Sequence, residues 1–137
     1  MFVSKVTYTG ELRTEAVHIA SGNTIITDAP VDNHGKGMAF SPTDLVSTAL
    51  ASCMFTVIGI AGQTHGFDLS GSTAHVTKMM ANDPRRISEI HVKLEIIDRN
   101  LTDKQKAIIE HTARTCPVLY SLSTEIQKHI SFEYLPT

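Results

Sequence analysis

From Leu45 to Thr64 the chain carries no charged side chain, and no other feature narrows its folding options as much. The run approaches the roughly 20 residues that cross a bilayer. Ser47, Thr48, Ser52, Thr56 and Gln63 dilute it, and no Lys or Arg flanks it closely. The run therefore reads as a helix of a folded domain, buried on most sides, and not as a membrane span. Its ends are marked. Ser41 suits the N-cap, Pro42 the first helical position, and Asp44 the third, facing the positive helix end. Gly66 suits the left-handed cap at the far end. Such a helix is about 35 Å long. Being apolar on more than one face, it needs more cover than a short chain provides, so a partner subunit is expected.

The 137 residues fit one domain spanning 1–137. An apolar share of 42% argues against disorder. A net charge of −2 without any Lys/Arg cluster argues against a nucleic-acid surface. The opening Met-Phe-Val-Ser-Lys-Val-Thr-Tyr alternates like a strand and lacks the apolar core of a signal peptide. A cytoplasmic location is expected, where thiols stay reduced. Alternation and turn residues predict strands over 2–9, 12–20 and 24–28, with Ser21-Gly22-Asn23 as a turn and a loop over 29–41. A hairpin follows, 70–80 and 87–97, around Asn82-Asp83-Pro84. Thr102 and Gln105 form a capping box for a helix to about Arg114. Pro117 opens another to about Gln127, and Ile130, Phe132 and Tyr134 alternate in a last strand. The order βββ-α-ββ-αα-β is that of an α+β domain.

Two cysteines stand in unlike settings. Cys53 lies inside the uncharged helix, where a thiol packs as a small hydrophobe and apolar burial makes it inert unless a cation or donors sit nearby. Cys116 precedes Pro117 at a helix start, where unpaired backbone N–H groups favour the thiolate. Local reasoning therefore names Cys116 the more acidic thiol; the alternative is that Cys116 only ends one helix and packs beneath it. The seven histidines show no His-x-x-x-His spacing and the cysteines no Cys-x-x-Cys, so neither a metal site nor a cofactor is expected. No Gly-x-Ser-x-Gly elbow supports serine hydrolysis.

Ser41-Pro42-Thr43-Asp44-Leu45-Val46, continuing to Ala49-Leu50-Ala51-Ser52-Cys53, resembles the first cysteine block of OsmC/Ohr-type proteins. Asp83-Pro84-Arg85-Arg86-Ile87 with Ile90-His91-Val92 is similar to that family's central hairpin, and Cys116-Pro117-Val118 to its second cysteine motif. The order holds over nearly the whole chain, with the YhfA-like branch the most similar. The resemblance implies an intertwined homodimer, its long central helices packed on antiparallel sheets and its active sites at the subunit interface. It also implies reduction of organic hydroperoxides in oxidative-stress protection. Cys53 would attack the peroxide and become a sulfenic acid, Cys116 would condense with it to a disulfide, and an external dihydrolipoamide-like thiol would reset the pair. These roles reverse the local ranking of the thiols.

There are departures. The family's activating Glu falls at Thr43, which has no charge. Asp44 stands where the YhfA-like branch has an acid, but nine residues at 100° place it opposite Cys53. Arg13 is the candidate for the activating cation; Arg85 and Arg86 follow a turn and read as solvated. The other functional class open to such a chain is a dimer that binds a small apolar ligand or senses redox state without turnover.

Overall fold

The computed structural model describes residues 1–137. The elements are β1 Ser4–Gly10, β2 Arg13–His18, β3 Thr24–Asp28, α1 Pro42–His65, β4 Thr73–Ala81, β5 Arg86–Asp98, α2 Asp103–Ala113, α3 Pro117–Ser121 and β6 Gln127–Pro136. They fall into two compact units, Met1–Val46 and Ser47–Thr137, and the order is the one the sequence predicts.

In the first unit β1, β2 and β3 form an antiparallel sheet in chain order. The β2–β3 turn falls where Ser21, Gly22 and Asn23 predict it, with Gly22 at φ +77°. Asn23 closes it by accepting from the His18 amide at 2.8 Å. The loop after β3 folds back on its own strand: Asp28 N–H donates to the Phe40 carbonyl (3.1 Å) and Ala29 N–H to that of Leu12 (3.0 Å). This unit has no buried apolar side chain. Its buried residues are Thr27, Asp28 and Ser41, while Val6, Tyr8, Ile25, Ile26, Val31, Met38 and Phe40 are all exposed.

The second unit contains the core: Leu50, Ala51, Met54 and Ile58 of α1, Ile90, Val92, Leu94 and Ile96 of β5, Ile109 and Ala113 of α2, and Cys116. The β5 residues alternate with His91, Lys93 and Glu95, so one strand face enters the core and the other meets solvent. β4 pairs with β5 antiparallel, and Arg86 ties the turn between them by donating to the carbonyls of Asn82 (3.0 Å) and Pro84 (2.8 Å). β6 pairs with β5 in parallel, the one pairing in either sheet that is not antiparallel. Parallel neighbours need a crossover connection, and α2 and α3 supply it. The Thr102–Gln105 capping box is present, at 3.1 and 3.0 Å. Tyr134 of β6 fastens α2 to the sheet by donating to the Glu110 carboxylate at 2.8 Å.

One expectation needs correction. The helix expected from Pro117 to about Gln127 ends at Ser121, with extended backbone at Leu122; the residues up to 127 instead lead the chain into β6. α1 is apolar enough along its 24 residues to cross a membrane by length and composition, and within one copy of the chain 33% of that apolar window is buried. A single stripe, Ser47, Leu50, Ala51, Met54, Ile58 and Gly62, faces the core, while Ile60 is exposed. One copy of the chain covers one face of this helix.

Candidate dithiol site

α1 begins as its residues dictate. The Asp44 amide donates to Ser41 Oγ and the Ser41 amide to the Asp44 carboxylate, each at 3.0 Å, a reciprocal cap with Asp in place of the usual Glu. The acid of the first cysteine block is therefore spent on the helix start. At the other end Gly66, at φ +75°, and Phe67 both donate to the Gly62 carbonyl, at 2.8 and 3.0 Å. Between these ends Cys53 sits at the edge of the buried stripe, partly exposed.

Cys116 is the N-cap residue of α3, with extended backbone at φ −74° and ψ 147°; its Sγ accepts from the Leu119 amide at 3.4 Å. The side chain is wholly buried. Both cysteines are free thiols, and the Cys53 thiol lies near enough to that of Cys116 to disfavour its ionisation. The short crossover helix thus brings together two residues far apart in sequence.

The local expectation that helix-start donors lower the Cys116 pKa is overturned. Burial pushes its pKa up from the ordinary thiol value, and the neighbouring Cys53 thiol adds to this. The amides of Leu119 and Val118 pull the other way and are outweighed. The helix-start donors are real, but desolvation of the charged form is the larger effect here. Cys116 rests as a neutral thiol.

Arg13 lies in the first unit. Its Nε and Nη2 donate to the two carboxylate oxygens of Asp28 at 2.7 and 2.8 Å, a bidentate fork. Asp28 also accepts from the Met38 amide at 3.1 Å. It is 1% exposed, and the Arg13 hydrogen bond holds its carboxyl below the usual carboxylate range, against the opposing effect of burial. Asp28 was not among the residues singled out from sequence, although a signal existed. The turn at 21–23 sets the register, and counting outward from Val17 opposite Thr24 puts Arg13 opposite Asp28. Thr43 Oγ1 lies 3.2 Å from Ser41 Oγ, so the position where the family's Glu falls is occupied by cap chemistry.

The family model described as OsmC-like protein matches residues 34–131. A crystal structure from Psychrobacter arcticus 273-4, provisionally named an osmotic stress induced and detoxification response protein, is 53% identical. The match covers 97% of this chain and 96% of that one, at a TM-score of 0.92. An organic hydroperoxide resistance protein OsmC from Legionella pneumophila has the same fold at 14% identity, with 97% and 98% of the two chains covered and a TM-score of 0.70. A protein from Vibrio cholerae O1 biovar eltor, provisionally named for organic hydroperoxide resistance and crystallised with captopril in one of its active sites, matches at 15% identity over 96% and 92%, TM-score 0.72. No curated protein matches the chain. The match of the family model across both cysteine blocks and the hairpin between them, together with the shared fold, makes this chain a member of the OsmC-like protein family.

Proposed function

We propose that the chain is a thiol peroxidase that reduces organic hydroperoxides, with Cys53 as attacking thiol and Cys116 as resolving thiol. One observation carries the reading: the two thiols lie near each other, and they differ. Cys116 is buried and held neutral, whereas Cys53 is partly exposed and open to a substrate. The Cys53 thiolate attacks a peroxide oxygen; the O–O bond breaks, the alcohol leaves with a proton, and Cys53 becomes a sulfenic acid. The Cys116 sulfur then attacks the Cys53 sulfur, an S–S bond forms and water leaves. An external dithiol of the dihydrolipoamide kind takes up the oxidation by thiol–disulfide exchange and restores both thiols.

Arg13 is assigned the activating cation. Its fork on Asp28 fixes the guanidinium and leaves the Nη1 edge outside the pair. In this reading Asp28 is a positioning residue. The working form is a homodimer in the cytoplasm. A first unit without one buried apolar residue, and an α1 covered on one face, both call for a second copy.

Cumene hydroperoxide consumption with dihydrolipoamide as reductant tests the assignment, with mass spectrometry locating the oxidised sulfur. Wild type is expected to lose two thiols per chain in forming the disulfide. Cys53→Ser is expected to abolish reduction. Cys116→Ser is expected to allow one oxidation and then drift to the sulfinic acid for want of a neighbouring thiol. Arg13→Ala is expected to slow the first step. Unchanged turnover in Cys53→Ser, or sulfenic acid appearing first on Cys116, overturns the roles. A dimer that binds the peroxide without losing thiols would favour the ligand-binding alternative.

A further inference from the structure

The outer face of the second sheet carries a cluster with no part in the thiol chemistry. In the parallel β5/β6 register His91 stands directly opposite His129, and their rings stack at 4.4 Å between centroids, 19° apart. Glu89, two residues before His91 on the same face, points one carboxylate oxygen between them. Its Oε1 lies 3.2 Å from His91 Nε2 and 3.1 Å from His129 Nε2. All three side chains reach solvent, at 27% exposure for Glu89, 42% for His91 and 51% for His129. The three donor atoms lie within 4.8 Å of one another.

We propose that Glu89, His91 and His129 form a binding site for a divalent transition metal ion. Two imidazole nitrogens and one carboxylate oxygen are the donors that zinc and its neighbours prefer. Metal–ligand bonds of roughly 2.0–2.2 Å in tetrahedral geometry put neighbouring ligand atoms about 3.3 Å apart. Two of the three edges of this triangle are already close to that length, so an ion can take the place of the proton each Nε2 shares with Glu89. The backbone holds the triangle rigidly. Glu89 and His91 share a strand face by the two-residue period, and His129 is fixed by the ladder, not by a loop. Lys93, two residues beyond His91 on the same strand face, is paired with Glu133 at 3.2 Å. Three protein ligands leave a position open to water or an anion.

The test is titration of the full chain with Co²⁺ followed by absorbance, and with Zn²⁺ in competition with a chromophoric chelator. One ion per chain is expected, with d–d bands and no thiolate charge-transfer band. His129→Gln and Glu89→Gln are each expected to weaken binding by more than about tenfold, since even an outer-shell partner costs that much at known sites. His111→Gln, on α2, is expected to bind as wild type. Circular dichroism confirms that the exposed substitutions leave the fold intact. The proposal is overturned by failure to bind one equivalent, by a thiolate charge-transfer band that moves the ion to Cys53 and Cys116, or by variants that bind as wild type. None of these outcomes depends on peroxidase activity.

Discussion

Gly62→Ala sets two effects of opposite sign against each other on the helix that carries Cys53. Alanine is favoured over glycine in a helix by about 0.8–1.0 kcal/mol. Against this, a Cβ at Gly62 would lie 2.4 Å from the Phe67 carbonyl oxygen and 3.2 Å from two atoms of its ring. The ring can turn aside, but the oxygen belongs to backbone held by the Gly66 and Phe67 amides on the Gly62 carbonyl. That backbone must move by about 0.6 Å (3.0 − 2.4) before the contact reaches 3.0 Å. Overpacking of this kind costs about 1–3 kcal/mol, and straining two cap hydrogen bonds adds about 1 kcal/mol. The clash wins: a net destabilisation of about 2 kcal/mol is expected, or about 8 °C in Tm for a chain of this size. Urea unfolding and calorimetry, at one protein concentration because assembly shifts Tm, provide the measurement. A Tm equal to or above wild type would show that the turn after α1 is not packed over Gly62, and would refute the reasoning.

Two other measurements follow. Arg13 holds the Asp28 carboxyl below its ordinary value, so the pair's stabilisation is complete above pH of about 4 and disappears as pH falls through the lowered folded pKa. Wild type is expected to lose stability more steeply than Asp28→Asn between pH of about 4 and 2 in an acid series of thermal melts; parallel curves would sink the claim. Light scattering is expected to give twice the chain mass of 15.0 kDa at micromolar concentration, and a monomer there would remove the second copy from the proposed site.

What could be read from the sequence was what is local. The caps at Ser41/Asp44 and Thr102/Gln105 each lie within four residues, and both form as their spacing dictates. Gly66 ends α1 where a left-handed residue is needed. The alternation of β5 survives because one of its faces meets the core. What escaped depends on partners distant in the chain. Nothing in 127–136 says that its neighbour is β5 or that the pairing is parallel, so the meeting of His91 with His129 could not be foreseen. The acidity of Cys116 was misjudged for the same reason: its donors are its own next residues, while its burial comes from the whole second unit. α3 stops at Ser121 because residues 122–126 form the turn that redirects the chain into β6.

The crossover through α2 and α3 also bears on when the thiols meet. Cys53 precedes the β4–β5 hairpin in the chain and Cys116 follows it, and the second arrives only as the chain turns back to lay β6 beside β5. Pairing of that kind closes a long loop before it gains any contact, so it belongs to the slow, high-contact-order part of folding. A nascent or unfolded chain holds its two sulfurs apart, and an oxidant meeting it finds two separate thiols. The dithiol depends on this crossover, so under the proposed function an intramolecular disulfide would report completed folding as much as it reports peroxide.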